Sequence, residues 1–238
     1  MDDQTDLLFP GIDHEEEACV KRRETCGKCR RPITVCWCPF LPHPPLEVCS
    51  KVCILQHPYE DKRCLSTTPM LTFGLKPETV TLLKGSRFNL DKYPELLSLL
   101  ESPYTVLLYP DSNSVDIESL PTDQTYNLIV LDGTWLQAKA IYSKNKFLHG
   151  IKKVKVTKPP LSKYVVRTQP TDECLSTVES VALALQLLEK KNDLFECLTK
   201  PLTALCEFQL HHGAVPHQSK EYLIKNGLYK SQRSTPKS

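Results

Sequence analysis

Short apolar runs, each followed by a stretch with helical spacing, recur along this chain and restrict its fold more than any other feature. Val52-Cys53-Ile54-Leu55, Val80-Thr81-Leu82-Leu83, Val106-Leu107-Leu108-Tyr109, Leu128-Ile129-Val130-Leu131 and Val154-Lys155-Val156 read as strands, and Tyr164-Val165-Val166 as a further one. Helical patterns cover 68–75, 93–100, the run from Trp135, 177–190 and about 193–212. In 177–190, Val178, Val181, Ala182, Leu185 and Leu188 fall on one face at spacings of three and four. Alternation of this kind predicts an α/β fold, a mostly parallel sheet covered by helices.

With 238 residues the chain can bury one good core beside a small appendage. No apolar run approaches the roughly 18 residues that span a bilayer. The acidic start, Met1 to Asp6, lacks a basic segment followed by an apolar one, so a secretory signal is not expected. Cytosol or nucleus is the expected location. The net charge of +2 excludes overall basicity as a route to nucleic acid and requires a local patch instead. The chain divides into a mobile acidic segment (1–22), a cysteine module with a stiff connector at Pro39, Pro42, Pro44 and Pro45 (23–45), a main domain (46–229) and a basic tail (230–238). Nothing in it fixes an oligomeric state.

Eight of the eleven cysteines lie between Cys19 and Cys64. Cys26-Gly27-Lys28-Cys29 and Cys36-Trp37-Cys38 have the spacing of two knuckles around one tetrahedral structural zinc, with Gly27 easing the first turn. Unrelated free thiols, a redox pair, or replacement of one pair by Cys49 and Cys53 are the alternatives. Cys174, Cys197 and Cys206 read as small buried hydrophobes. Arg30 and Arg31, beside Lys21, Arg22, Arg23 and Lys28, make the module locally basic, as a phosphate contact or a solvated face.

Asp132-Gly133-Thr134-Trp135 stands where a strand gives way to a helix. Ligands in open α/β sheets bind outside the carboxyl ends of strands. Helix capping by Asp132 or Thr134 explains the same residues. Trp135 either stacks on a flat ligand or packs in the core. Gln56-His57-Pro58-Tyr59-Glu60 follows the first strand at that same edge, with Lys62 and Arg63 next. Leu175-Ser176-Thr177-Val178-Glu179 opens the clearest helix, with Ser176 or Thr177 as cap and Glu179 completing a capping box. A helix start of this type also accepts a carboxylate or carbonyl, with Arg167 upstream able to join it.

Together, in this order over about residues 26–215, the cysteine module with Trp37-Cys38-Pro39 and the Gln56, Asp132 and Leu175 motifs resemble the DTW-domain family of tRNA-uridine aminocarboxypropyltransferases. The C-terminal Asn226-Gly227-Leu228-Tyr229 resembles the family's eukaryotic members with a cysteine module. The resemblance implies a SPOUT-like sheet with a trefoil knot near the cofactor. It implies transfer of the 3-amino-3-carboxypropyl group of S-adenosylmethionine to the imide nitrogen of a tRNA uridine, leaving methylthioadenosine. Asp132 would act as general base, or instead hold the uracil edge or balance the sulfonium charge. Gln56, His57, Thr134, Trp135, Leu175, Ser176, Thr177 and Glu179 would border the cofactor. Arg30, Arg31, Lys62, Arg63 and Arg167 would meet tRNA, and Cys26, Cys29, Cys36 and Cys38 would hold structural zinc. An S-adenosylmethionine-dependent RNA methyltransferase and a non-catalytic zinc-containing RNA adapter are the competing readings.

Overall fold

A computed structural model describes residues 23–61, 63 and 65–229; the expected acidic and basic tails, Lys62 and Cys64 lie outside the described residues. The strands are β1 (Lys51–Gln56), β2 (Val80–Lys84), β3 (Thr105–Leu108), β4 (Val115–Asp116), β5 (Asn127–Asp132) and β6 (Lys152–Lys155). They form one sheet in the order β2-β1-β5-β3-β6-β4, and every neighbouring pair is parallel. The helices are α1 (Thr68–Gly74), α2 (Pro94–Glu101), α3 (Trp135–Lys144), α4 (Thr177–Glu189), α5 (Leu194–His211) and α6 (Lys220–Lys225). No helix among the described residues is long and apolar enough to cross a membrane.

Side chains alternate across a strand, so each strand feeds two layers. Val52 and Ile54 of β1, with Leu128 and Val130 of β5, pack under α1, α4 and α5 through Met70, Leu71, Val181, Leu185, Leu198 and Leu202. Cys53 and Leu55, with Ile129 and Leu107, face the opposite layer, which holds Leu96 of α2 and Ile141 of α3. Central strands buried on both faces explain why these runs are continuously apolar rather than alternating. Each fully buried leucine or isoleucine contributes about 1.5–3 kcal/mol relative to exposure.

The same alternation fixes the site. Gln56 is paired in register with Asp132, each at the last position of its strand. Both fall two residues beyond Ile54 and Val130, on the face covered by α1 and α4. The first turns of those helices therefore lie over the two polar side chains.

Three expectations need correction. The run Tyr164-Val165-Val166 is a turn, not a strand: Val165 N–H donates to the Lys163 carbonyl at 2.9 Å. Tyr164 is buried for another reason, with its hydroxyl donating to the Leu65 carbonyl at 2.6 Å. The residue with positive φ in the first cysteine knuckle is Arg30, at 60°, rather than Gly27. Of Cys174, Cys197 and Cys206 only Cys206 is buried.

Candidate active site and metal centre

Asp132 ends β5 at the carboxyl edge of the sheet and is 5% exposed. Three side chains donate to its carboxylate. Gln56 Nε2 and Thr68 Oγ1 reach Oδ2, each at 2.8 Å, and Thr177 Oγ1 reaches Oδ1 at 2.5 Å. Thr68 and Thr177 are the first residues of α1 and α4. One carboxylate thus fastens two strands and two helix starts together. The thirteen-residue α4 also directs the positive end of its dipole here.

Both helix starts flagged in the sequence are capping boxes. Thr134 Oγ1 accepts from Gln137 N–H while the Gln137 side chain accepts from Thr134 N–H at 2.7 Å. Ser176 and Glu179 are paired likewise at α4. Glu179 is wholly buried and does more than cap. It also accepts from Ser162 Oγ at 2.9 Å and Lys163 N–H at 2.5 Å, fixing the long 156–176 loop to α4. Its two oxygens therefore serve the scaffold, which leaves Thr177, on the Asp132 carboxylate, as the residue of this turn at the site.

His57 continues β1, its N–H donating to the Asp132 carbonyl at 2.9 Å. Its ring packs edge-on against Tyr59 with centroids 5.2 Å apart. Tyr59 is 68% exposed, and at the start of α3 Trp135 is 41% and Leu136 81% exposed. An edge of a parallel sheet flanked by a bare tyrosine, tryptophan and leucine offers flat apolar surface to a ligand. Arg63 Nε lies 3.1 Å from Glu60 Oε1. Burial raises the Glu60 carboxyl, and the charges of Arg63 and the half-buried Arg167 offset part of that rise. The C-terminal segment braces the loop that carries Arg167, with His217 N–H donating to the Val165 carbonyl at 2.7 Å and Lys220 N–H to that of Gln169 at 2.8 Å.

Gly133 sits between Asp132 and the α3 cap, and its need is steric. A Cβ there would stand 2.9 Å from Gln137 Cβ, 3.1 Å from its Oε1 and 3.4 Å from His57 Cβ. Gly133→Ala is therefore expected to push Gln137 out of the capping box and cost about 1–3 kcal/mol. Urea unfolding measures this, and an unshifted midpoint would show that Gln137 yields freely.

The four knuckle sulfurs, of Cys26, Cys29, Cys36 and Cys38, all lie within 4.8 Å of one another, and no other cluster of this kind occurs among the described residues. Cys26 and Cys38 sulfurs are 3.8 Å apart and those of Cys29 and Cys36 3.6 Å. Zinc–sulfur bonds of about 2.3 Å in a tetrahedron place sulfurs about 3.8 Å apart, so the donor set fits such an ion. Hydrogen bonds from the Cys29 and Lys28 backbone pull the Cys26 thiol down to about 6, whereas burial pushes Cys36 and Cys38 up. Cys53 is inside β1, where burial raises it to about 12, and stands outside the cluster. The module lies on α1 and α5: Lys28 Nζ is 5.0 Å over the Phe73 ring, and Phe40 meets Phe208 edge-on at 6.2 Å. Arg30 is exposed, while Arg31 Nε donates to the Val35 carbonyl at 3.1 Å.

The structure thus gathers Gln56, Asp132 and Thr177 in direct contact, with His57, Thr134 and Trp135 next to them in the chain. Arg63 pairs with Glu60 and Arg167 acts on that carboxylate through its charge, while Arg30 and Arg31 belong to the cysteine module. Sequence reading missed Thr68, although Thr68-Pro69 at a helix start was a visible signal. It named Glu60 and the exposed Tyr59 within a motif but gave neither a role.

A family model described as DTW domain matches residues 23–210. Among curated proteins, tRNA-uridine aminocarboxypropyltransferase 2 of Drosophila melanogaster is 47% identical over 231 residues, spanning 96% of this chain and 91% of the relative. The Mus musculus protein of that name is 44% identical over 88% of this chain and 72% of its own length. tRNA-uridine aminocarboxypropyltransferase A of Arabidopsis thaliana is 26% identical over 92% of both chains. No solved structure matches the chain.

Proposed function

The chain belongs to the DTW-domain family, and on that premise we propose that it is a tRNA-uridine aminocarboxypropyltransferase using S-adenosylmethionine. The observation that carries the reading is the convergence of Gln56, Thr68 and Thr177 on the Asp132 carboxylate at the sheet's carboxyl edge. The relatives' names supply the reaction class.

A sulfonium is already a good leaving group, so the protein's task is to select which of three carbons meets the uridine nitrogen. Positioning does that work. Leu175, Ser176 and Thr177, at the start of α4, border the S-adenosylmethionine and offer backbone groups to its adenine and carboxylate. Gln56, His57 and Thr134 complete that border. Asp132 holds these elements in register and places a negative charge where the sulfonium is bound. Trp135 and Tyr59 give an unpaired base a surface to stack on. Arg63, Arg167 and Lys62 meet the methionine carboxylate or a tRNA phosphate, and Arg30 and Arg31 extend the basic surface along the module. Cys26, Cys29, Cys36 and Cys38 hold a zinc ion that serves folding rather than chemistry.

Product analysis tests the reading. Zinc-loaded protein with S-adenosylmethionine and tRNA lacking the modification should yield aminocarboxypropyl-uridine and an equal amount of methylthioadenosine by mass spectrometry. A methylated base with S-adenosylhomocysteine would replace the reaction with methyl transfer. Binding of tRNA without either product would overturn the enzyme reading.

A further inference from the structure

Glu60 lies in the loop after β1 and is 4% exposed. Its backbone is tied at both ends: its N–H donates to the His57 carbonyl at 2.9 Å, and its carbonyl accepts from Arg63 N–H at 3.1 Å. Its side chain is not satisfied in the same way. Oε1 is buried and has no hydrogen-bond partner, and the Arg63 Nε 3.1 Å away forms an ion pair without hydrogen-bond alignment. A buried carboxylate oxygen held by an ion pair but by no hydrogen bond costs stability, and such groups are rare in native structures unless they serve a purpose. Asp132 is in the opposite condition. A carboxylate has about four lone-pair sites, and three of those on Asp132 already accept hydrogen bonds. Two neighbouring carboxylates in unlike surroundings divide their roles.

We propose that Glu60 is the general base of the transfer and that Asp132 is a positioning group. This rests on the aminocarboxypropyl-transfer reading. The imide proton of the target uridine passes to Glu60 Oε1. The freed nitrogen pair bonds to the γ-carbon of the aminocarboxypropyl chain, and the pair of the broken Cγ–sulfur bond returns to sulfur. The sulfonium becomes the neutral thioether of methylthioadenosine, and Glu60 then gives its proton to water. Burial raises the Glu60 carboxyl, Arg63 lowers it, Asp132 raises it and Arg167 lowers it, with a net rise. A carboxylate raised above its ordinary value accepts more readily from a weakly acidic imide.

The test compares wild-type protein with Glu60→Gln and Glu60→Asp in single-turnover reactions from pH 5 to 9. Glu60→Gln is expected to keep its melting temperature and its S-adenosylmethionine affinity within about threefold, and to lose about 10²–10⁴-fold in rate. It should also lose the acid-side fall of the pH profile. Replacing the target uridine by 5-fluorouridine, whose imide is more acidic, should speed the variant more than the wild type. A rate within threefold of wild type, or no gain from the fluorinated base, overturns the assignment. If Glu60→Gln fails to fold, Glu60→Asp carries the test: slowed turnover with cofactor binding intact supports the base, and an unchanged rate overturns it. Wild-type protein that makes no methylthioadenosine would sink the underlying reading instead, so the two failures remain separate.

Discussion

Asp132→Ala is expected to lower turnover by about 10³-fold or more and to destabilise the fold at the same time. Removing one preorganised electrostatic partner at a reacting centre costs about 2.7–4 kcal/mol of barrier. Here the loss is compounded, because Gln56, Thr68 and Thr177 are all left facing a gap. Each buried donor left without an acceptor costs about 1–3 kcal/mol. Partial repair by rotation and water would leave a net loss of about 2–4 kcal/mol, or roughly 10 °C in melting temperature at this chain length. Asp132→Asn should separate the two effects. With the amide nitrogen in place of Oδ1, the Thr177 hydroxyl can rotate to accept from it while Gln56 and Thr68 keep donating to the remaining oxygen, so most of the stability returns. The negative charge does not return, so the rate stays low. Melting curves and single-turnover rates on both variants measure the split. An asparagine variant within tenfold of wild-type turnover would show that the charge is dispensable.

That this carboxylate matters was legible because a strand ended in an acid and a helix began three residues later. What holds it was not. Thr68 and Thr177 are more than a hundred residues apart, and only the parallel register Gln56 with Asp132 brings their helices over one point. Local pattern carries no record of such a meeting. The core strands were readable because burial on both faces makes them continuously apolar. β4, only Val115–Asp116, is too short to leave a pattern and, among the described residues, pairs with β6 alone. Tyr164-Val165-Val166 misled for a related reason: apolar character reports burial, not extension. Tyr164 is buried by packing in the helix-covered core, with its hydroxyl on the Leu65 carbonyl, and not by lying in a strand. Glu60 was named within a motif but given no role, since an acid in a polar loop is usually solvated, and only the structure shows its oxygen buried without a hydrogen-bond donor.

Removing the metal is expected to be as damaging as removing Asp132, by a different route. The module is not held on the domain by sulfur alone. Trp37, between Cys36 and Cys38, is 2% exposed and belongs to the same core as Ile54, Leu71 and Leu202. Cys29 and Cys38 pack against that core as well. Without an ion, four crowded thiols give no reason for Cys36-Trp37-Cys38 to keep its turn, and the ring is drawn out with it. Structural zinc contributes on the order of 10 kcal/mol of apparent binding free energy in small zinc-dependent peptides. In a chain with a separate large core the loss will be smaller, about 3–5 kcal/mol, or roughly 10 °C or more. Cys38→Ser or a strong chelator should produce it, together with a red shift of Trp37 emission measured in a Trp135→Phe background. Metal analysis should give one zinc per chain, released as acid protonates the thiolates. Protein that contains no metal and keeps its melting temperature in chelator would return the four cysteines to ordinary packing.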